Sequence, residues 1–130
     1  MDDNLLLKLQ EEKLNFGQTL RHVRQMQKMT IRQIAGEVKR TPTYISDIER
    51  GNNKPPEKAL MEQIIEALKL PEKEVQNYLY DLAAKERGGV SEDIVDYIME
   101  NSTLRLAIRM AKNRENSEEV WEECVKKLQN

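Results

Sequence analysis

The stretch RTPTYISDIERG, residues 40–51, carries the start and stop signals of one short helix. Thr41 suits an N-cap, because its hydroxyl can accept a backbone hydrogen bond. Pro42 suits the first helical position, where no N–H donor is needed, and Gly51 suits the left-handed residue that closes a helix. The sequence therefore predicts that a helix begins and ends within this stretch.

A second short helix, capped by Thr30, is predicted immediately before it. The apolar positions of the two helices that would face a shared core are Ile34, Val38, Ile45 and Ile48. Ala35 is small where the helices would cross, and the outer face of the later helix carries the small polar side chains of Thr43, Ser46 and Asp47. Two short helices joined by a tight turn predict a helix-turn-helix. Its second helix would present small polar groups to base edges in the major groove of DNA.

Apolar residues recur at helical spacing along the rest of the chain, and no useful length alternates at period two. The sequence therefore predicts an all-α protein, a five-helix DNA-binding domain followed by a C-terminal helical extension. The predicted divisions are an N-terminal extension at 1–14, the helix-turn-helix domain at 15–87 and a C-terminal region at 88–130. Gly88 and Gly89 mark the internal boundary. Predicted N-caps are Asn15, Thr30, Thr41, Ser91, Ser102 and Ser117, and Pro71 is predicted to start a helix.

Composition argues against catalytic, metal and cofactor sites. The 130 residues contain one cysteine, Cys124, and one histidine, His22. They therefore form no intramolecular disulfide framework, cysteine-based metal site or histidine cluster. Cys124 lies on the apolar stripe of the last predicted helix and is expected to be buried. No apolar run approaches the ~20 residues that span a bilayer, so we expect a cytoplasmic protein without a membrane segment.

The net charge of −2 is unevenly distributed. Residues 15–70 contain ten Lys and Arg against six Asp and Glu, whereas residues 71–130 contain nine against thirteen. The basic block at residues 15–70 would favour binding of a polyanion such as a nucleic acid. Judged on charge alone, ordinary variation of surface charge is an equally good interpretation. Asp2 and Asp3 oppose a basic arm in the minor groove, since such arms use Arg or Lys.

The sequence resembles one known family of regulators over residues 15–70. The segments that carry the resemblance are FGQTLRHVRQ, MTIRQIAGEVKRTPTYISDIERG and KPPEKALMEQIIEAL. Together they are similar to the XRE family of phage-repressor and Cro-like proteins. The most specific part is YISDIERG, followed by a proline-containing loop and an apolar helix. The resemblance implies a five-helix fold that binds double-stranded DNA.

The resemblance also implies roles for individual positions. Arg24 matches an arginine that pairs with the glutamate of the ERG turn, here Glu49. Lys54 matches a phosphate contact. The positions that match base-facing residues are Pro42, Thr43, Ser46 and Asp47. For the Arg24–Glu49 pair, a purely structural role is preferred to a functional one.

Further phosphate contacts are expected from basic side chains of the same region, Arg21, Arg32 and Arg40. Asn52 suits either a phosphate contact or a simple turn.

Two positions depart from the family pattern. Lys39 stands where many members have glycine, and a left-handed backbone there costs about 1–2 kcal/mol for a residue with a Cβ atom. Ile31 stands where many members place a glutamine that contacts DNA.

Residues 88–130 leave three alternatives open. Their amphipathic helices suit a homodimer seam, a protein partner or a small-molecule effector, and the leading interpretation is oligomerisation or packing on the first domain. We therefore predict a dimeric, sequence-specific repressor on a near-palindromic operator. The alternative is a protein-interaction module of the same fold, such as an antitoxin that binds a toxin.

Overall fold

The computed structural model describes residues 5–130, and all regular secondary structure in that range is helical. The prediction of an all-α protein is confirmed, whereas Asp2 and Asp3 lie outside the described residues. The helices are α1 (Leu5–Glu12), α2 (Phe16–Met26), α3 (Ile31–Val38), α4 (Pro42–Arg50), α5 (Lys58–Leu68), α6 (Lys73–Arg87), α7 (Val95–Glu100), α8 (Ser102–Lys112) and α9 (Ser117–Leu128). Among them, none is long and apolar enough to cross a membrane.

The described residues form two compact units. The N-terminal unit extends to Asp93, and the C-terminal unit runs from Ile94 to Asn130. Within the N-terminal unit, α3 packs against α4 and α5, α2 packs against α4 and α6, and α1 packs against α6. The largest fully buried apolar side chains of its core are Phe16, Leu9, Ile34, Ile45, Ile48, Met61, Ile64, Leu68, Leu79, Val23 and Val75. One core therefore holds both helices of the helix-turn-helix.

Local capping signals position the helices of the predicted DNA-binding region. The side chains of Asn15, Thr30 and Thr41 each accept a hydrogen bond from the backbone N–H three residues further on, at 2.8, 3.1 and 3.1 Å. Gly51 has φ 80° and closes α4. These three N-caps and the glycine C-cap are confirmed.

Two predicted features near α6 are wrong. Pro71 does not start that helix, which begins at Lys73 after Glu72 as N-cap. Ser91 does not cap α7, since its buried hydroxyl donates instead to the carboxylate of Asp81. Although Gly88 ends α6 with φ 76°, the N-terminal unit continues to Asp93.

Two predicted N-caps of the C-terminal unit are also wrong. Ser102 is the first residue of α8, and the N-cap is Asn101, whose side chain accepts from the Leu104 N–H at 2.8 Å. Ser117 is the first residue of α9, and the cap position belongs to Asn116 with φ 60°. In both cases an asparagine immediately before the serine occupies the boundary, and asparagine competes well for such positions.

The C-terminal unit buries little of its own apolar surface. Within it, α7 packs against α8 and α8 packs against α9. Neither α7 nor α9, both fully described, contains a buried residue. Cys124, predicted to be buried, is exposed. The apolar stripe of α9 predicted which residues share a face, but of its members Trp121 is half-buried while Cys124, Val125 and Leu128 are exposed.

Candidate nucleic-acid interface

The turn between α3 and α4 is tight because Lys39 adopts the left-handed conformation, with φ 57° and ψ 45°. The N–H of Arg40 donates to the carbonyl of Ala35 at 2.9 Å, which satisfies a carbonyl at the end of α3. The chain then enters α4 at Pro42 after the Thr41 cap. Lys39 therefore adopts the left-handed conformation that a glycine would adopt without strain, and the turn between α3 and α4 is tight.

The two helices meet through the apolar face that the sequence predicted. Ile34 and Val38 of α3 are buried, and so are Ile45 and Ile48 of α4. Ala35 is 1% exposed, and its small side chain fits the packing of α3 against α4 and α5. This packing leaves the opposite side of α4 free of core contacts.

The reading surface, defined here as Pro42, Thr43, Ser46 and Asp47, lies on that outer side of α4. Pro42 and Thr43 are exposed, whereas Ser46 and Asp47 are half-buried. None of the four has a long side chain, so the helix backbone can approach a partner closely. Small polar groups at the N-terminal end of a helix suit contacts with base edges in a major groove.

Arg50 belongs to the same helix, and the sequence reasoning missed it. Its guanidinium donates to the Asp47 carboxylate at 2.8 Å, and its side chain is 59% exposed. Asp47 thus has a cation partner within the protein, which offsets the repulsion between its carboxylate and a phosphate backbone. The spacing of three residues between Asp47 and Arg50 was a local signal that could have revealed this pair.

The predicted phosphate-facing residues are all exposed, and the structure places all of them except Arg32 at two surface concavities. One surface concavity is lined by Arg40, Tyr44, Asn53 and Lys54, and the Arg40 guanidinium lies 5.6 Å from the centre of the Tyr44 ring. A second concavity is lined in part by Arg21, Arg50 and Asn52. Arg32 is exposed near the start of α3 and lines neither concavity.

Arg24 and Glu49 form the ion pair expected from the family resemblance. Arg24 Nε donates to Glu49 Oε2 at 2.7 Å, and Arg24 Nη2 donates to Glu49 Oε1 at 3.0 Å. Both residues are buried, so their role in the structure is to join α2 to the end of α4. The position of α4, and with it the reading surface, depends on this link.

A close backbone approach joins the same two helices. A Cβ atom at Gly17 of α2 would lie 2.5 Å from the carbonyl oxygens of Ile48 and Glu49. No side chain fits in that space. Gly17 therefore allows α2 to pack directly on the backbone at the end of α4, a requirement that the sequence alone did not reveal.

The loop that carries Lys54 is held by side chains from the far end of the N-terminal unit. Arg87 Nη1 donates to the carbonyls of Pro55 and Pro56 at 3.0 and 2.8 Å. Arg87 Nη2 lies 3.0 Å from Glu92 Oε1. Glu92 Oε2 accepts from the N–H of Lys58 at 2.6 Å. Since the N-cap residue of α5 makes no side-chain capping bond, Glu92 supplies that cap from a distant part of the sequence.

Comparison with known proteins identifies the region around this surface. Residues 15–77 match a family model described as a helix-turn-helix domain. No curated protein and no solved structure matches the chain significantly. The matched range includes α2 to α5 and the start of α6, and therefore the whole reading surface. The chain contains a helix-turn-helix domain, which is typical of DNA-binding regulators.

Proposed function

We propose that this protein is a cytoplasmic, sequence-specific DNA-binding regulator of the XRE type, a dimeric repressor on a near-palindromic operator. The observation that carries the proposal is the reading surface on α4. It combines small polar side chains, exposed at Thr43 and half-buried at Ser46 and Asp47, with the cations that line two surface concavities. The proposal assigns no catalysis and no cofactor to the chain.

In the proposed complex, α4 enters the major groove with its N-terminal end towards the bases. Thr43 and Ser46 offer hydroxyl groups that can donate or accept, and Asp47 can accept from cytosine. Pro42 contributes an apolar contact at the start of the helix. These side chains would determine which sequence is preferred, because base edges carry the sequence information.

The flanking cations would position α4 by contacting the DNA backbone. Arg40 and Lys54 line one concavity beside α4, while Arg21 and Asn52 line another together with Arg50. Arg32 would contribute from the start of α3. Contacts of this kind release counterions and give affinity that falls with salt, without selecting a sequence.

The proposed dimer follows from the symmetry of such operators. A two-fold pair of helix-turn-helix units reads two half-sites about one helical turn apart, roughly 34 Å. We therefore expect the operator to contain an inverted repeat with that spacing. The exposed apolar side chains of the C-terminal unit are consistent with a subunit contact.

A second candidate function is an interaction module of the same fold, such as an antitoxin that binds a toxin partner. The observation that favours it is the same exposed apolar surface in residues 94–130. The acidic balance of residues 71–130 also suits a contact with a basic protein. This alternative requires a partner of different sequence, whereas the leading proposal requires DNA and a second copy.

Selection from random duplex DNA tests the leading proposal, because it requires both binding and sequence preference. We expect enrichment of a two-part inverted motif whose binding weakens steeply with rising salt. Ser46→Asp should abolish enrichment, since it adds a carboxylate to the reading surface. Ser102→Asp in the C-terminal unit is the matched control and should leave the motif unchanged. If no motif is enriched at moderate salt, the proposal is wrong and the interaction module takes its place.

A further inference from the structure

Large exposed apolar side chains are concentrated in the C-terminal unit. The most exposed of them are Leu128 at 79%, Tyr97 at 65%, Met99 at 63% and Met110 at 62%. Further members of the set are Ile94, Leu106, Ile108, Val120 and Val125. By contrast, the large exposed apolar residues between positions 5 and 93 are Leu7, Met26 and Val90. So many large exposed apolar side chains in one short segment indicate an interaction site.

The C-terminal unit is too small to bury this surface by itself. Units below about 40 residues usually need disulfides, metals or oligomerisation for stability, and the segment Ile94–Asn130 is shorter than that. Its single cysteine is free. Among the described positions, helices α7 and α9 contain no buried residue, and apart from the half-buried Val95, Ile98 and Trp121 their apolar side chains are exposed.

The charges of α9 are arranged so that a second copy fits. Four glutamates, Glu118, Glu119, Glu122 and Glu123, come first along this helix, and Lys126 and Lys127 follow in its last turn. The stripe Trp121, Val125 and Leu128 runs between these groups at helical spacing. In an antiparallel pair of α9 helices, the acidic half of each lies beside the basic end of the other. In a parallel pair, like charges lie together and repel.

The whole unit is also nearly neutral, with six Lys and Arg against seven Asp and Glu in residues 94–130. Two copies therefore approach each other without strong repulsion, whereas a polyanion gains nothing from this surface.

We infer that the apolar face of the C-terminal unit docks a second copy of this chain, with α9 antiparallel to α9 of the partner. The contact is isologous, so the same residues occur on both sides of a two-fold axis. Helices α8 and α9 of the two copies would together complete a four-helix arrangement. This inference deepens the proposed function, since a two-fold pair is what a near-palindromic operator requires.

Sedimentation of the full chain without DNA tests whether a second copy of the chain binds to the apolar face of the C-terminal unit. We expect a dimer at micromolar concentration. Val125→Asn should weaken self-association about tenfold or more, because one valine from each copy loses its burial. Leu7→Asn is the matched control, since Leu7 and Val125 are equally exposed at 54% and 53%. A monomeric full chain, or a dimer that Val125→Asn leaves unchanged, would overturn the inference.

Charge exchange tests the antiparallel arrangement. One variant replaces Lys126 and Lys127 by Glu, and a second replaces Glu122 and Glu123 by Lys. Each variant alone should self-associate more weakly than the natural chain, and their mixture should form mixed dimers visible by native mass spectrometry. If the first variant associates as tightly as the natural chain, the helices are not antiparallel. Because these measurements contain no DNA, a dimer without operator binding would support this surface while overturning the proposed function.

Discussion

Arg24 and Glu49 are joined by a two-pronged ion pair, at 2.7 and 3.0 Å, that connects α2 to the last turn of α4. The third donor of Arg24, Nη1, reaches the carbonyl of Met29 in the α2–α3 connection at 2.8 Å. The two side chains are 10% and 4% exposed. One guanidinium therefore holds three segments around the helix-turn-helix.

We predict that Arg24→Ala destabilises the protein by about 3–5 kcal/mol, because it leaves the Glu49 carboxylate buried without a partner. Unfolding by urea, followed by circular dichroism, measures the loss. Arg50→Ala is the control, since it breaks the largely exposed pair with Asp47 and should cost at most about 1 kcal/mol. Equal losses for the two variants would show that the buried pair is not a structural link.

The close approach at Gly17 gives a second prediction. Gly17→Ala should destabilise by about 1–3 kcal/mol, since its Cβ would overlap the carbonyl oxygens of Ile48 and Glu49 and push α2 away from α4. Gly36→Ala is a matched control in α3, where a Cβ meets nothing within 4 Å. That change should stabilise by about 0.5–1 kcal/mol, because alanine is the better helix former. A neutral Gly17→Ala would contradict the backbone packing described above.

Lys39 gives a third prediction because its backbone is left-handed. Lys39→Gly removes a backbone strain of about 1–2 kcal/mol from the folded state. The glycine also makes the unfolded chain more flexible, which lowers the free energy of unfolding by about 0.4–1 kcal/mol. We therefore expect equal or higher thermal stability. Lys39→Ala keeps the strained Cβ and should show no such gain, which makes it the control. A clear drop in the melting temperature of Lys39→Gly would contradict the strain argument.

The residues proposed to read bases and those proposed to contact phosphates should respond differently to substitution. Thr43→Ala or Ser46→Ala should change which bases are preferred. Lys54→Ala should weaken binding to all sequences alike and reduce the salt slope by about one. Binding titrations on a panel of operator variants at several salt concentrations separate these effects. The assignment of roles fails if Lys54→Ala changes base preference and Thr43→Ala does not.

Glu92 gives a fifth prediction, since it caps α5 and pairs with Arg87. Glu92→Ala should destabilise by about 1.5–3 kcal/mol, the range for hydrogen bonds to a charged group. Asp93→Ala removes a neighbouring exposed carboxylate and should be within about 0.5 kcal/mol of the natural chain. Amide hydrogen exchange at the start of α5 provides the local readout. Unchanged exchange there in Glu92→Ala would show that the cap contributes nothing.

The sequence by itself determined the features whose partners lie within one helical turn. The caps at Asn15, Thr30 and Thr41, together with Gly51, were predicted correctly because each acts on backbone groups within a few residues. The apolar faces of α3 and α4 were predicted for the same reason, since helical periodicity is a local property. Where two good capping residues stand side by side, as at Asn101 and Ser102, the local signal was ambiguous and the prediction was wrong.

Only the tertiary structure decided the contacts that connect distant parts of the chain. The Glu86 carboxylate accepts from the N–H of Phe16, 70 residues away, and Glu92 accepts from Lys58, 34 residues away. Such pairs have no periodicity, because their separation depends on how the intervening helices pack. The need for glycine at position 17 has the same origin. Cys124 was predicted to be buried because it lies on the apolar stripe of α9, yet it is exposed. Helical periodicity shows which residues share a face of a helix, but whether another element covers that face depends on the tertiary structure.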